Sequence, residues 1–116
     1  MAKILVVNND IDTMSLLKKW LQRKNYEVKY TSNGEEAPHI AKEFSPDLVL
    51  VDVLQSKVAD ELKSDNNLKK IPVILMTGYT IGEHTISIIN ADDAIAKPFN
   101  LDLLQKKIEK FLKKTG

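Results

Sequence analysis

The chain has 116 residues, of which 43% are hydrophobic and 28% charged, with a formal net charge of +1. This is the range of one globular domain (residues 1–116) with a real core, and the near-neutral balance excludes a global field for nucleic acid or an anionic membrane. The lack of cysteine excludes disulfides, a thiol nucleophile and thiolate metal sites, and the two histidines, His39 and His84, have no ligand spacing.

The N-terminal run Lys3-Ile-Leu-Val-Val7 predicts a strand buried on both faces, ending at Asn8-Asn9-Asp10. It is too short for a signal peptide, and no stretch approaches the roughly 20 apolar residues that span a bilayer, so the protein is expected to be cytoplasmic. Over residues 11–24 the period changes. Met14, Leu17 and Leu21 lie three to four apart, with Leu16 and Trp20 beside them, and predict an amphipathic helix. Asp10 or Asn9 suits its N-cap, and Asp12 suits the positive helix end. Tyr26–Tyr30 alternates apolar and polar residues and predicts an edge strand, followed by a turn at Thr31-Ser-Asn-Gly34. A helix is predicted over Glu35–Phe44 with Ala37, Ile40, Ala41 and Phe44 facing inward. Pro38 is tolerated only in the first turn, so this helix is expected to start late or to be distorted there.

Ser45-Pro-Asp-Leu-Val-Leu-Val-Asp52 follows, with four branched apolar residues in a row before the charged one. It predicts the central strand, with Asp52 at its carboxyl end. Residues 56–70 are polar and weakly periodic, which predicts a short helix between Val58 and Ser64 and then a loop. Ile71–Met76 predicts a fourth strand ending in Thr77-Gly78-Tyr79. Ile86, Ile88 and Ile89 predict a short helix over 82–90, and Asp93–Ala96 a brief fifth strand ending at Lys97-Pro98. Asn100 caps a last helix whose apolar stripe is Leu101, Leu104, Ile108, Phe111 and Leu112. Lysines 106, 107, 110, 113 and 114 read as its solvated face rather than a nucleic-acid patch.

Strands alternating with helices predict a doubly wound, five-stranded parallel α/β sheet. The order 2-1-3-4-5 puts a crevice beside strands 1 and 3, outside the carboxyl ends of the strands. Asn8, Asn9, Asp52, Thr77 and Lys97 then share one rim. That rim offers no triad and no glycine-rich phosphate cradle. A carboxylate beside an ammonium and a hydroxyl suits a phosphoryl group, with the carboxylate attacking phosphorus and the other two binding charged oxygens. It equally suits an Asp52–Lys97 ion pair that only pins two strand ends. The residues alone leave both readings open.

Taken together, Lys3-Ile-Leu-Val-Val, Pro46-Asp-Leu-Val-Leu-Val-Asp52, Leu62-Lys-Ser-Asp, Ile71-Pro-Val-Ile-Leu-Met-Thr77-Gly, Asn90-Ala-Asp-Asp and Ala96-Lys97-Pro98-Phe99 resemble, in order and over essentially the whole chain, the receiver domain of two-component response regulators. The resemblance implies a flavodoxin-like receiver fold. It implies Asp52 as phosphoacceptor, charged from a partner histidine kinase or phosphotransfer protein. Thr77 would bind the phosphoryl oxygen and Lys97 would pair with it, aimed by a Lys97–Pro98 bond that is often cis in this family. The binding face implied is the fourth helix, fifth strand and last helix, in a monomer or weak homodimer.

Three positions depart from that family. Its two acids after the first strand, which hold Mg²⁺, are here Asn8 and Asn9. Replacing one unit charge about 4 Å from a dication forfeits roughly 8 kcal/mol at an effective dielectric of about 20, before desolvation is credited back. Any Mg²⁺ is therefore expected to be weakly held, by Asn9, Asp52 and the backbone carbonyl of Leu54. Asp10 follows the pair, but its side chain is expected to point elsewhere because it begins a helix. The segment after Asp52 is short enough to trim the third helix or its preceding loop by more than a turn, and Ala94 stands where the family has an aromatic switch residue. Tyr79 is the substitute near Thr77.

The expected function is thus a stand-alone receiver in phosphorelay signalling, acting through protein contacts, and the alternative is a phosphorylation-independent interaction module. An enzyme is not expected, since aspartyl-phosphate phosphatase chemistry wants a second acid two residues on, where Leu54 stands.

Overall fold

The apolar runs do not alternate because both faces of the sheet they form are covered. The computed structural model describes residues 1–52, 57–77, 90–97 and 100–115. Strands β1 (Lys3–Val7), β2 (Glu27–Thr31), β3 (Leu48–Asp52), β4 (Val73–Thr77) and β5 (Asp93–Ala96) make one sheet of order β2-β1-β3-β4-β5, parallel throughout. The helices are α1 (Ile11–Gln22), α2 (Ala37–Phe44), α3 (Lys57–Ser64) and α4 (Leu101–Thr115). The helix predicted over 82–90, Leu54, Tyr79 and the Lys97–Pro98 bond lie outside the described residues.

Alternate residues of each central strand go to opposite layers. Ile4, Val6, Leu48, Leu50, Ile74 and Met76 pack with Leu17 and Leu21 of α1 and Leu104 and Ile108 of α4. Leu5, Val7, Val49, Val51 and Val73 pack with Ala37 and Ala41 of α2 and Val58, Ala59 and Leu62 of α3. Every residue of β3 and β4 is buried, whereas β2 at the edge exposes Glu27 and Lys29. Burying one such Leu, Ile or Val side chain stabilises the fold by about 1.5–3 kcal/mol.

Pro38 does delay α2. A 3₁₀ turn at Gly34–Glu36, capped by Asn33 Oδ1 accepting from the Glu35 N–H at 2.9 Å, comes first, and Pro38 falls in the opening turn of the α-helix. The helix stops at Ser45, whose N–H still donates to the Ala41 carbonyl at 2.9 Å and whose left-handed backbone (φ 52°) then turns the chain out of the helix. Pro46 follows.

The third helix is short, at eight residues, and a lysine anchors its end. Lys63 Nζ donates to the carbonyls of Lys69 (3.2 Å) and Ile71 (2.9 Å) and to Asp92 Oδ2 (2.6 Å). All three ammonium hydrogens are used. Asp92 Oδ2 also accepts from the Val73 N–H at 2.8 Å, so one ion pair ties α3 and its following loop to the start of β4 and β5. Likewise Lys107 of α4 is not only solvent cover. Its Nζ reaches both oxygens of Asp93 at 3.0 Å and fixes α4 to β5. Among the described residues no helix is long and apolar enough to cross a membrane.

Lys63→Met keeps the stem but strips three hydrogen bonds and leaves Asp92 without its ammonium. Urea denaturation is expected to show a loss of about 1–3 kcal/mol, with an unchanged m-value.

Candidate functional site

The strand ends are in step. Val7 pairs with Val51, Asp52 with Met76 and Thr77 with Ala96, so the carboxyl ends of β1, β3, β4 and β5 open on one rim. The Lys97 N–H donates to the Thr77 carbonyl at 2.6 Å, which holds Lys97 against the end of β4. Asp52, Thr77 and Lys97 thereby end on one rim. Asp52 (3% exposed), Thr77 (2%) and Asn8 (0%) are buried polar residues, whereas Asn9 is exposed.

Lys97 is the hub. Its Nζ lies 3.6 Å from Asp52 Oδ2 and 3.8 Å from Asp10 Oδ2. The Asp52 contact is the more strongly felt, because that carboxylate is almost wholly screened from water and the Asp10 carboxylate is not. The second contact corrects an expectation. Asp10 is the N-cap of α1, with an extended backbone (φ −86°, ψ 112°), yet its side chain does not turn away from the pocket. Oδ1 accepts from the Asp12 N–H at 3.2 Å, as a cap should. Oδ2 accepts from Thr13 Oγ1 at 2.6 Å and faces Lys97. Capping occupies one oxygen and leaves the other for the rim. The Thr13 hydroxyl holds the Asp10 carboxyl below the usual carboxylate range. Desolvation opposes this, while the Asp12 N–H and the Lys97 charge assist it.

Asn8 is the other residue whose role the sequence understated. Its Oδ1 accepts from the Asp10 N–H at 2.7 Å. One lone pair of that oxygen is thus engaged, and the unpartnered end of the side chain is the amide NH₂. This matters for a metal. Mg²⁺ requires near-octahedral oxygen ligands and is usually held by carboxylates. Among the described residues no three His, Cys, Asp or Glu side chains converge. Asp52 faces an ammonium, Asn8 presents a donor and Asn9 carries no charge. This donor set does not fit a tightly held dication, and no chemical step is routed through one here.

The family described as the response regulator receiver domain matches residues 4–109. The chain is 34% identical to a probable transcriptional regulator ycf27 of Cyanophora paradoxa, over 97% of this chain and 49% of that protein. It spans about half the length of the first curated relatives it matches. It is 29% identical to the polar-differentiation response regulator DivK of Brucella anthropi, over 94% of each. Among solved structures, response regulator TrrA of Thermotoga maritima, in complex with Mg²⁺-BeF, is 36% identical with a TM-score of 0.79, over 96% of this chain and 99% of that one. The signal receiver domain of a histidine kinase from Syntrophus aciditrophicus is 29% identical with a TM-score of 0.87, over 98% and 92%.

Two measurements check the electrostatics. Lys97→Met removes a cation from the buried Asp52 carboxylate and is expected to cost about 1–3 kcal/mol in chemical denaturation. Asp52→Asn in the same chain is expected to recover much of that loss, giving a clear coupling energy in the double-mutant cycle. Thr13→Val should raise the Asp10 pKa towards the ordinary carboxylate value in an NMR titration. Because the folded value is lowered, the stability from Asp10 is present above the ordinary carboxylate pKa. It disappears as pH falls through the folded value, so Thr13→Val should flatten this part of the acid-denaturation profile.

Proposed function

The chain belongs to the response regulator receiver domain family, and from that premise we propose that it accepts a phosphoryl group on Asp52. Receiver domains interact with histidine kinases or phosphotransfer proteins, and such a protein is the proposed donor here. One observation carries the reading. A buried carboxylate at the end of the central strand has an ammonium 3.6 Å away, with Thr77 at the end of the neighbouring strand.

In this reading an Asp52 oxygen attacks phosphorus, Lys97 pairs with the incoming oxygens and the Thr77 hydroxyl donates to one of them. The output proposed is a protein–protein contact, on the surface around β5 and α4. Ala94 is a small buried residue of β5, so no aromatic swing at that position is invoked. Substrate turnover is not proposed, because Leu54 leaves no acid two residues after Asp52. Any Mg²⁺ drawn to Asn9, Asp52 and the Leu54 carbonyl is proposed to bind too weakly to fill the site at millimolar concentration. A second reading, a phosphorylation-independent interaction module, is favoured by Asn8 and Asn9 alone, since their amides remove the usual charge for a metal.

Incubation with acetyl phosphate and Mg²⁺ should add the mass of one phosphoryl group, and Asp52→Asn should abolish the gain. A persistent absence of any gain in the native chain favours the interaction module instead.

A further inference from the structure

Asn8 is fully buried, yet its Nδ2 has no hydrogen-bond partner. The amide orientation is set by its other end, because Oδ1 takes the Asp10 N–H at 2.7 Å and an NH₂ group could not. An orphaned buried donor costs about 1–3 kcal/mol, and native folds keep few of them. Its place in the fold says what it is for. Val7 pairs with Val51, so Asn8 is level with Asp52 one step further along. Strand alternation sends Asn8 to the side of Ile4 and Val6, and Asp52 to the side of Leu48 and Leu50, which is the same layer. Lys97 lies two residues beyond Ile95 of that layer, with its ammonium 3.6 Å from Asp52.

An NH₂ and an ammonium can only donate. They repel a dication and attract an oxyanion. Resting on the phosphoacceptor reading, we infer that this rim is a metal-free oxyanion site, in which Asn8 Nδ2 and Lys97 Nζ hold the phosphoryl oxygens without Mg²⁺. With acetyl phosphate as donor, an Asp52 oxygen forms a bond to phosphorus as the bond from phosphorus to the acetate oxygen breaks. The departing acetate keeps the electron pair and needs no proton. The transferred group then supplies the acceptor that Nδ2 lacks, and Lys97 exchanges its contact with the Asp52 oxygen for one with the new anion. The lysine remains near Asp10, whose two oxygens are already engaged by the Asp12 N–H and the Thr13 hydroxyl.

The test is intact-mass spectrometry after acetyl phosphate treatment, in parallel with Mg²⁺ and with EDTA. The native chain, Asn8→Asp and Asn8→Ala are compared, with circular dichroism to verify that each is folded. The native chain is expected to react at rates within about threefold in the two buffers, because Lys97 already stands between the Asp10 and Asp52 carboxylates and Asn8 and Asn9 bring no charge for the ion. Asn8→Ala should slow the EDTA reaction by about tenfold, the loss of one charge-assisted hydrogen bond. Asn8→Asp should slow it more and should be restored by Mg²⁺. A native chain that reacts only with Mg²⁺ overturns the inference and leaves Asp52 as phosphoacceptor. Equal EDTA rates for the native chain and Asn8→Ala overturn the role of Asn8. No mass gain in either buffer overturns both the inference and the phosphoacceptor reading.

Discussion

A parallel sheet covered on both faces can admit charge only at its ends, and this constraint places the chemistry of the chain. β3 and β4 are buried along their whole length, so Asp52 is tolerated because it stands last in its strand, where an ammonium can reach it. The same rule applies at the opposite end of the sheet. Asp92 and Asp93 enter β5 beside Lys63 and Lys107, at 2.6 and 3.0 Å. Charge is thus paired at both rims, but among the described residues only the carboxyl-end rim leaves a buried side-chain donor unpaired.

At that rim Lys97 is shared. Its partners differ in kind: Asp52 is buried, while Asp10 is exposed, held by Thr13 and tied into the first turn of α1. The sharing links the ends of β3 and β5 to the start of α1 through one side chain. A new anion on Asp52 must compete for that ammonium, so the cap of α1 is the first element beyond the pocket to feel it. Beside these charges Asn8 leaves an unpartnered NH₂, a donor where a dication site would want an oxygen.

Much of the fold was legible because its signals are local. The unbroken apolar runs identified β1, β3 and β4 as doubly covered, and Pro38 announced the late start of α2. The rim residues Asp52, Thr77 and Lys97 followed from the strand order alone. What stayed hidden depends on pairings distant in sequence or on which atom of a side chain is already engaged. Lys63 and Asp92 are 29 residues apart, and Lys63 looks like any exposed helix lysine until the loop folds over it. Lys107 sits in a run of lysines that reads as solvation, and only the adjacent acids Asp92-Asp93 before an apolar strand hint at its partner. Asp10 reads as a cap, which it is, but a carboxylate has a second oxygen. Asn8 reads as a weakened ligand, and only its bond to the Asp10 N–H reveals that its NH₂ is the end left without a partner.

The family places the chain in phosphorelay signalling, and the rim geometry says how this member differs within it. Its Lys97 ammonium stands 3.6 Å from Asp52, and Asn8 and Asn9 bring no charge beside it. The most direct measurement is anomalous diffraction from crystals soaked in millimolar Mn²⁺ as a stand-in for Mg²⁺. The account predicts no anomalous peak within coordinating reach of Asp52, with the Lys97 ammonium still between the Asp10 and Asp52 carboxylates. A peak bound by Asp52 and Asn9, with Lys97 displaced, would contradict it.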